Sequence, residues 1–138
     1  MTPPLRSLRA LGQAHRGISA LYLFGSQATG KAGPLSDLDV AVLLNEKQIR
    51  PGRFFSCRLD LMAEVMRACR QSDVDLVLLN ETTPLLAYEV VRGGRLIYER
   101  DHDARVEFEA RAVQHYLDLE PFYRVSRSYL KRQLLRAG

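Results

Sequence analysis

The sequence predicts an α+β protein in which short apolar strands alternate with amphipathic helices and a helical segment closes the chain. Three observations carry this. The runs Leu21–Phe24 and Leu38–Leu44 are short, apolar and bounded by Gly and Pro, which suits buried strands better than helices. Between Arg53 and Arg70, Phe54, Leu61, Met62, Val65, Met66 and Cys69 recur at helical spacing. From Asp101 the helical period returns, with Val106, Ala110, Val113 and Leu117 as one stripe and Glu107, Glu109, Arg111 and Asp118 away from it.

Taken in order, Leu5 to His15 reads as a first helix, because Leu5, Leu8 and Leu11 recur every three residues and Pro3-Pro4 precede or open it. Gly17 ends it, and Ile18–Phe24 is the first strand. Ser26 to Gly30 reads as a helical turn, with Gly33-Pro34 as a turn before the second strand, Leu38–Leu44. Pro51-Gly52 opens the main helix, Arg53–Arg70, and Val74–Leu79 is the third strand. Asn80 to Thr83 is a turn or cap, and Pro84 suits the first turn of a helix reaching Val91. Gly93-Gly94 stops that helix, and Arg95–Tyr98 is the last strand. Pro121 is expected to end or kink the C-terminal helix, because it lacks the N–H that the helix needs. Beyond it, Phe122, Val125, Tyr129 and Leu130 alternate with Arg124, Arg127, Lys131 and Arg132, a tail that either packs on the domain or receives a partner.

At 138 residues the chain suits a single domain, 1–138, with a core at about 15–100 and a helical segment at about 101–138. No apolar run approaches a membrane span, and MTPPLRSLRALGQ has no apolar signal core, so a cytoplasmic protein is expected. Cys57 and Cys69 fall on one helix, roughly 18 Å apart along its axis, too far for an internal disulfide. The net charge of +4 is mild and does not argue for nucleic acid as a direct partner. His15, His102 and His115 show no metal-ligand spacing.

The unusual feature is the pair Asp37 and Asp39 at the mouth of the second strand. Residues i and i+2 of a strand share a face, about 7 Å apart, so two carboxylates there repel each other. A divalent cation between them removes the conflict, and hard oxygen ligands of this kind suit Mg²⁺ with water and phosphate completing its shell. Gly25 lets the backbone approach a ligand, and Ser26 can start a helix whose free N–H groups attract an anion. A phosphate cradle joined by one loop to a carboxylate metal site describes nucleoside triphosphate chemistry. The bland alternative takes Asp37 and Asp39 as turn residues ahead of a strand. Asp75, inside the apolar run Val74-Asp75-Leu76-Val77-Leu78, is a third candidate because a charge there is costly unless paired. Asp73, two residues earlier on the same face, competes with it.

Gly25-Ser26, ten residues, then Asp37-Leu38-Asp39 resembles the GS–x10–DxD signature of the nucleotidyltransferase (polymerase beta-like) superfamily, and the length resembles its minimal nucleotidyltransferases. Many of those are antitoxins to HEPN-domain RNase toxins. The likeness covers roughly the N-terminal two-thirds of the chain. The loop reads Gly25-Ser26-Gln27-Ala28-Thr29-Gly30, without the two arginines of the pattern GSRARG; Lys31 is either a phosphate contact or a solvated lysine. The resemblance implies a palm-like fold with a small mixed sheet flanked by helices. It implies a triad of Asp37, Asp39 and Asp75 holding two Mg²⁺ ions, with Gly25 and Ser26 on the triphosphate of ATP. It further implies AMP transfer to a hydroxyl, a tyrosine's, on a cognate HEPN toxin, in a hetero-oligomer with that toxin and without membrane. Two alternatives stand beside it: an antitoxin that inhibits by binding alone, and a small-molecule nucleotidyltransferase, which usually carries a further helical domain.

Overall fold

The computed structural model describes residues 3–25 and 37–137. Helix α1 (Pro3–Ala14) leads into strand β1 (Ile18–Phe24), and β2 (Leu38–Leu44) follows. A 3₁₀ turn at Pro51–Arg53 opens α2 (Phe54–Cys69), which crosses to β3 (Val74–Leu78). Helix α3 (Pro84–Gly93), strand β4 (Arg95–Glu99) and a long helix α4 (His102–Ala137) complete the order. The strands form one sheet in the order β3-β2-β1-β4. β1 is antiparallel to both β2 and β4, whereas β2 and β3 are parallel, so the sheet is mixed as expected.

The period of two in β2 sorts the core into layers. Leu38, Val40, Val42 and Leu44 pack with Leu5 and Leu8 of α1 and with Phe54, Leu61 and Val65 of α2. On the opposite face Ala41 and Leu43 join Ala20, Tyr22, Leu79 and Val90, with Phe24, Leu86 and Phe108 against them. Thr83 caps α3 by accepting a hydrogen bond from the Leu86 N–H, and Pro84 sits in its first turn. The side chain of Asn80 works as an extra strand: its Oδ1 accepts from the Leu44 N–H (2.7 Å) and its Nδ2 donates to the Leu44 carbonyl (2.9 Å). Cys57 and Cys69 share α2 as free thiols, and burial pushes both upward in pKa. Among the described residues no helix is long and apolar enough to cross a membrane.

Helix α4 departs from expectation twice. It does not end at Pro121 but continues to Ala137. The carbonyl that loses its donor there belongs to Leu117, which is 57 % exposed, so water can replace the missing bond. The inward face is also rotated from the predicted stripe. Val106 and Leu117 are exposed, while Ala104, Phe108, Ala112 and Tyr116 turn inward together with Arg105 and Glu109. Glu109 accepts a 2.6 Å hydrogen bond from the buried Tyr22 hydroxyl, and Arg105 bridges Glu109 (3.0 Å) and Glu99. This ionic knot clamps α4 to β1 and β4. Burial, then the neighbouring Glu109, pushes the Tyr22 hydroxyl well above its ordinary pKa. The hydrogen bond from Arg105 holds Glu99 below the usual carboxylate range.

Candidate active site

Asp39 stands on the β2 face that carries Ala41 and Leu43, because alternation sends Leu38 and Val40 into the α1/α2 core. In the parallel ladder between β2 and β3, Asp39 is registered directly opposite Asp75. In the antiparallel ladder its partner is Phe24, the last residue of β1. Two carboxylates separated by 35 intervening residues therefore meet side by side, with Asp37 at the strand mouth. Asp73 lies just before β3, where its carbonyl accepts from the Leu38 N–H, and does not oppose Asp39.

Asp75 differs from expectation in one respect. β3 is an edge strand and Asp75 is exposed, so its charge is solvated and needs no partner to be tolerated. Asp39 is the half-buried member. Burial first, then the charges of Asp75 and Asp37, raise its pKa above the ordinary carboxylate value. Both causes act against the ionised form, and a bound cation would relieve both. Among the described residues, the three aspartates included, no group of three or more His, Cys, Asp or Glu side chains is gathered closely enough to hold a metal ion by itself. The donor set fits an ion such as Mg²⁺, which takes one or two carboxylates and fills its remaining positions with water and phosphate oxygens.

Gly25 completes the described part of the site. It ends β1 with φ +70°, the left-handed region open to glycine, and a Cβ at this position would collide with Oδ2 of Asp39. Glycine is thus demanded by its backbone angle and by the carboxylate against it. Ser26, Lys31, the Ser26–Gly30 turn and the Gly33-Pro34 turn lie outside the described residues.

One neighbour could not be singled out in the sequence. Arg58 of α2 donates from Nε to the Leu76 carbonyl (3.0 Å) and lines, with Asp75 and Glu81, a cavity of about 160 Å³. The sequence gives it no more emphasis than the other α2 arginines; only the crossover brings it to the edge of β3. The larger cavity, about 830 Å³, is lined by Leu44, Asn45, Asn80, Asp101 and Arg111 at the far end of β2, and none of the three aspartates borders it.

With this geometry in place, comparisons with known proteins can be weighed. The family described as Polymerase beta, Nucleotidyltransferase matches residues 7–103. The protein adenylyltransferase MntA of Aphanizomenon flos-aquae (strain 2012/KM1/D3) is 28% identical over 127 residues, which span 88% of this chain and 83% of the relative. The protein adenylyltransferase MntA of Shewanella oneidensis is 28% identical over 103 residues, 75% of this chain and 69% of the relative. A crystal structure of a toxin–antitoxin with AMP-PNP superposes with TM-score 0.75 at 23% identity, covering 92% of this chain and 98% of that one. A complex of tri-AMPylated Shewanella oneidensis HEPN toxin with MNT antitoxin superposes with TM-score 0.69 at 22% identity, covering 93% and 96%. At these identities the solved structures establish a shared fold.

Proposed function

The chain belongs to the Polymerase beta, Nucleotidyltransferase family, and we propose from that footing that it is an antitoxin which transfers AMP from ATP to a hydroxyl, a tyrosine's, of a cognate HEPN-domain RNase toxin in the cytoplasm, silencing it. The observation that carries this is the cross-strand pair Asp39–Asp75 beside the glycine bend at Gly25. The relatives lend it chemistry: two are named protein adenylyltransferases, one structure of similar fold holds an ATP analogue, and another holds an AMPylated HEPN toxin.

In this scheme Gly25 and Ser26 would seat the triphosphate, and Asp37, Asp39 and Asp75 would hold two Mg²⁺ ions, with water and phosphate oxygens completing their shells. When bound, the ions neutralise charge on the phosphates and make the acceptor hydroxyl easier to ionise. The acceptor oxygen bonds to the α-phosphorus as the bond to pyrophosphate breaks, and Asp75, exposed at the sheet edge, accepts the hydroxyl proton. Burial, then the charges of Asp75 and Asp37, make the ionised form of Asp39 costly, and a cation held there would offset that cost.

The test is direct. The chain is incubated with Mg²⁺, ATP and the protein encoded by the adjacent gene, and the partner is weighed by intact mass spectrometry. Addition of AMP units that disappears with Asp37→Asn, Asp39→Asn or Asp75→Asn supports the proposal. An unmodified partner that these same variants still inhibit fully identifies an antitoxin acting by binding alone.

A further inference from the structure

The aspartate end of the sheet is ordered from one side to the other. Gly25 closes β1 against Asp39 of β2, Asp39 stands opposite Asp75 of β3, and β3 is the last strand on that side. Neighbouring strands lie about 4.8 Å apart, so Gly25 and β3 are separated by about 10 Å. The Asp73 carbonyl and the Leu79 N–H bond to β2, so the even-numbered residues between them, Leu76 included, turn their backbone groups outward.

Arg58 of α2 meets that outer edge. Its Nε donates to the Leu76 carbonyl at 3.0 Å, which anchors the guanidinium and caps one open group of the edge strand. That bond uses one N–H, and the others meet no partner among the described residues. Arg58 is also the one cation on the wall of the cavity of about 160 Å³ that it shares with Asp75, Val77, Glu81, Thr82 and Leu86. This volume is below the roughly 300–1,000 Å³ of small-molecule sites. It suits a side chain of a polypeptide better than a free nucleotide.

An edge cap alone needs one donor and no charge. A guanidinium with spare donors beside a cavity is a receptor for a carboxylate or a phosphate, which it grips through charge-assisted, paired hydrogen bonds. The position of Arg58 decides between the two. In nucleotidyl transfer the attacking and leaving oxygens lie roughly in line. With the triphosphate seated at Gly25, the pyrophosphate leaves on the β1 side and the acceptor hydroxyl arrives from the β3 side. Asp39 and Asp75 stand between Arg58 and the glycine bend. The anion that reaches Arg58 is then a carboxylate of the acceptor and not a phosphate of the nucleotide.

We propose that the cavity at the outer edge of β3 seats the acceptor segment and that Arg58 selects it, binding a carboxylate beside the hydroxyl-bearing residue so that the hydroxyl faces Asp75. The inference rests on the transfer reaction proposed above and names how that site recognises its acceptor.

The experiment separates acceptor recognition from nucleotide binding and from stability. AMP transfer to the protein encoded by the adjacent gene is followed by mass spectrometry in single turnover. ATP affinity with Mg²⁺ is measured by titration calorimetry without the partner, and folding by thermal melts. Arg58→Gln keeps an N–H donor for the Leu76 carbonyl and removes the charge. It is expected to slow transfer at least about tenfold, the scale on which lost positioning acts, with ATP affinity within about twofold of wild type. Arg58→Glu is expected to be slower still, because it repels the carboxylate. Transfer by Arg58→Gln within about twofold of wild type, whatever its melting midpoint, overturns the proposal and leaves Arg58 as an edge cap. A loss of ATP affinity that matches the loss of transfer also overturns it, in favour of a nucleotide contact. Arg58→Glu no slower than Arg58→Gln overturns the carboxylate. A wild-type chain that transfers no AMP removes the transferase reading, and Arg58 is then judged by partner affinity in the same calorimeter. Arg58→Glu lowers that affinity at least about tenfold if the cavity seats the partner, and an affinity within about twofold of wild type removes the cavity as a seat.

Discussion

Gly25 and Asp39 are in contact: the left-handed bend closing β1 sets position 25 against Oδ2 of Asp39, leaving no room for a side chain. Gly25→Ala therefore meets two penalties. The positive φ costs about 1–2 kcal/mol for a residue with a Cβ, and the methyl group displaces a carboxylate central to the site. The expected result is a lowered melting temperature and at least about tenfold slower AMP transfer, the scale on which small misplacements act. Transfer at the wild-type rate would show that the Asp39 carboxylate need not stay where it is.

Asp39→Asn should stabilise the chain in the absence of divalent metal. The folded state raises the Asp39 pKa, so the folded protein binds this proton more tightly than the unfolded chain. Its stabilising contribution is present below the ordinary carboxylate pKa and is lost as pH rises through the raised value. At neutral pH the ionised aspartate is thus a burden that asparagine removes. Thermal melts in EDTA are expected to show a higher midpoint for the variant at pH 7, with the gain shrinking as pH falls through the carboxylate range. Added Mg²⁺ should raise the midpoint of the wild type more than that of the variant.

Tyr22→Phe keeps the ring in its buried seat and deletes only the hydroxyl that donates to Glu109. A hydrogen bond to a charged group contributes about 1.5–3 kcal/mol, and urea denaturation should show a loss within that range. Glu109→Ala is expected to cost more, because it strands both the Tyr22 hydroxyl and one arm of Arg105.

Asn80→Ala removes two hydrogen bonds to Leu44 in one step. The expected loss is about 1–3 kcal/mol, with faster amide exchange at Leu44 as the local signature. An unchanged exchange rate at that amide would mean that water substitutes fully for the side chain.

β1 and β2 were legible in the sequence because Gly and Pro bound short apolar runs, and β3 because Val74–Leu79 is a short apolar run after the main helix; all three lie where those runs predict. The face of α4 was not. Val106 and Leu117 look like core residues by spacing, but the buried Tyr22 hydroxyl draws Glu109 and its partner Arg105 inward and turns the helix. Tertiary hydrogen bonding outweighed apolar spacing there. Pro121 misled for a related reason: a helix wetted on most sides can lose a backbone bond to water at little cost. Asp37 and Asp39 could be singled out by spacing alone. That Asp75 rather than Asp73 stands opposite Asp39 depends on the register of parallel strands joined through α2, and no local pattern encodes that register.

The crossover has a consequence for how the site comes into being. Asp39 and Asp75 belong to β2 and β3, and only the packing of α2 between those strands in the chain makes them neighbours. Closing so long a loop is entropically costly and is rewarded only once helix and strands dock together. A nascent or partly melted chain can keep its first hairpin and still lack the carboxylate pair. Competence for nucleotidyl transfer is then a late product of folding, and it should vanish before secondary structure does when the protein is warmed or clipped within α2.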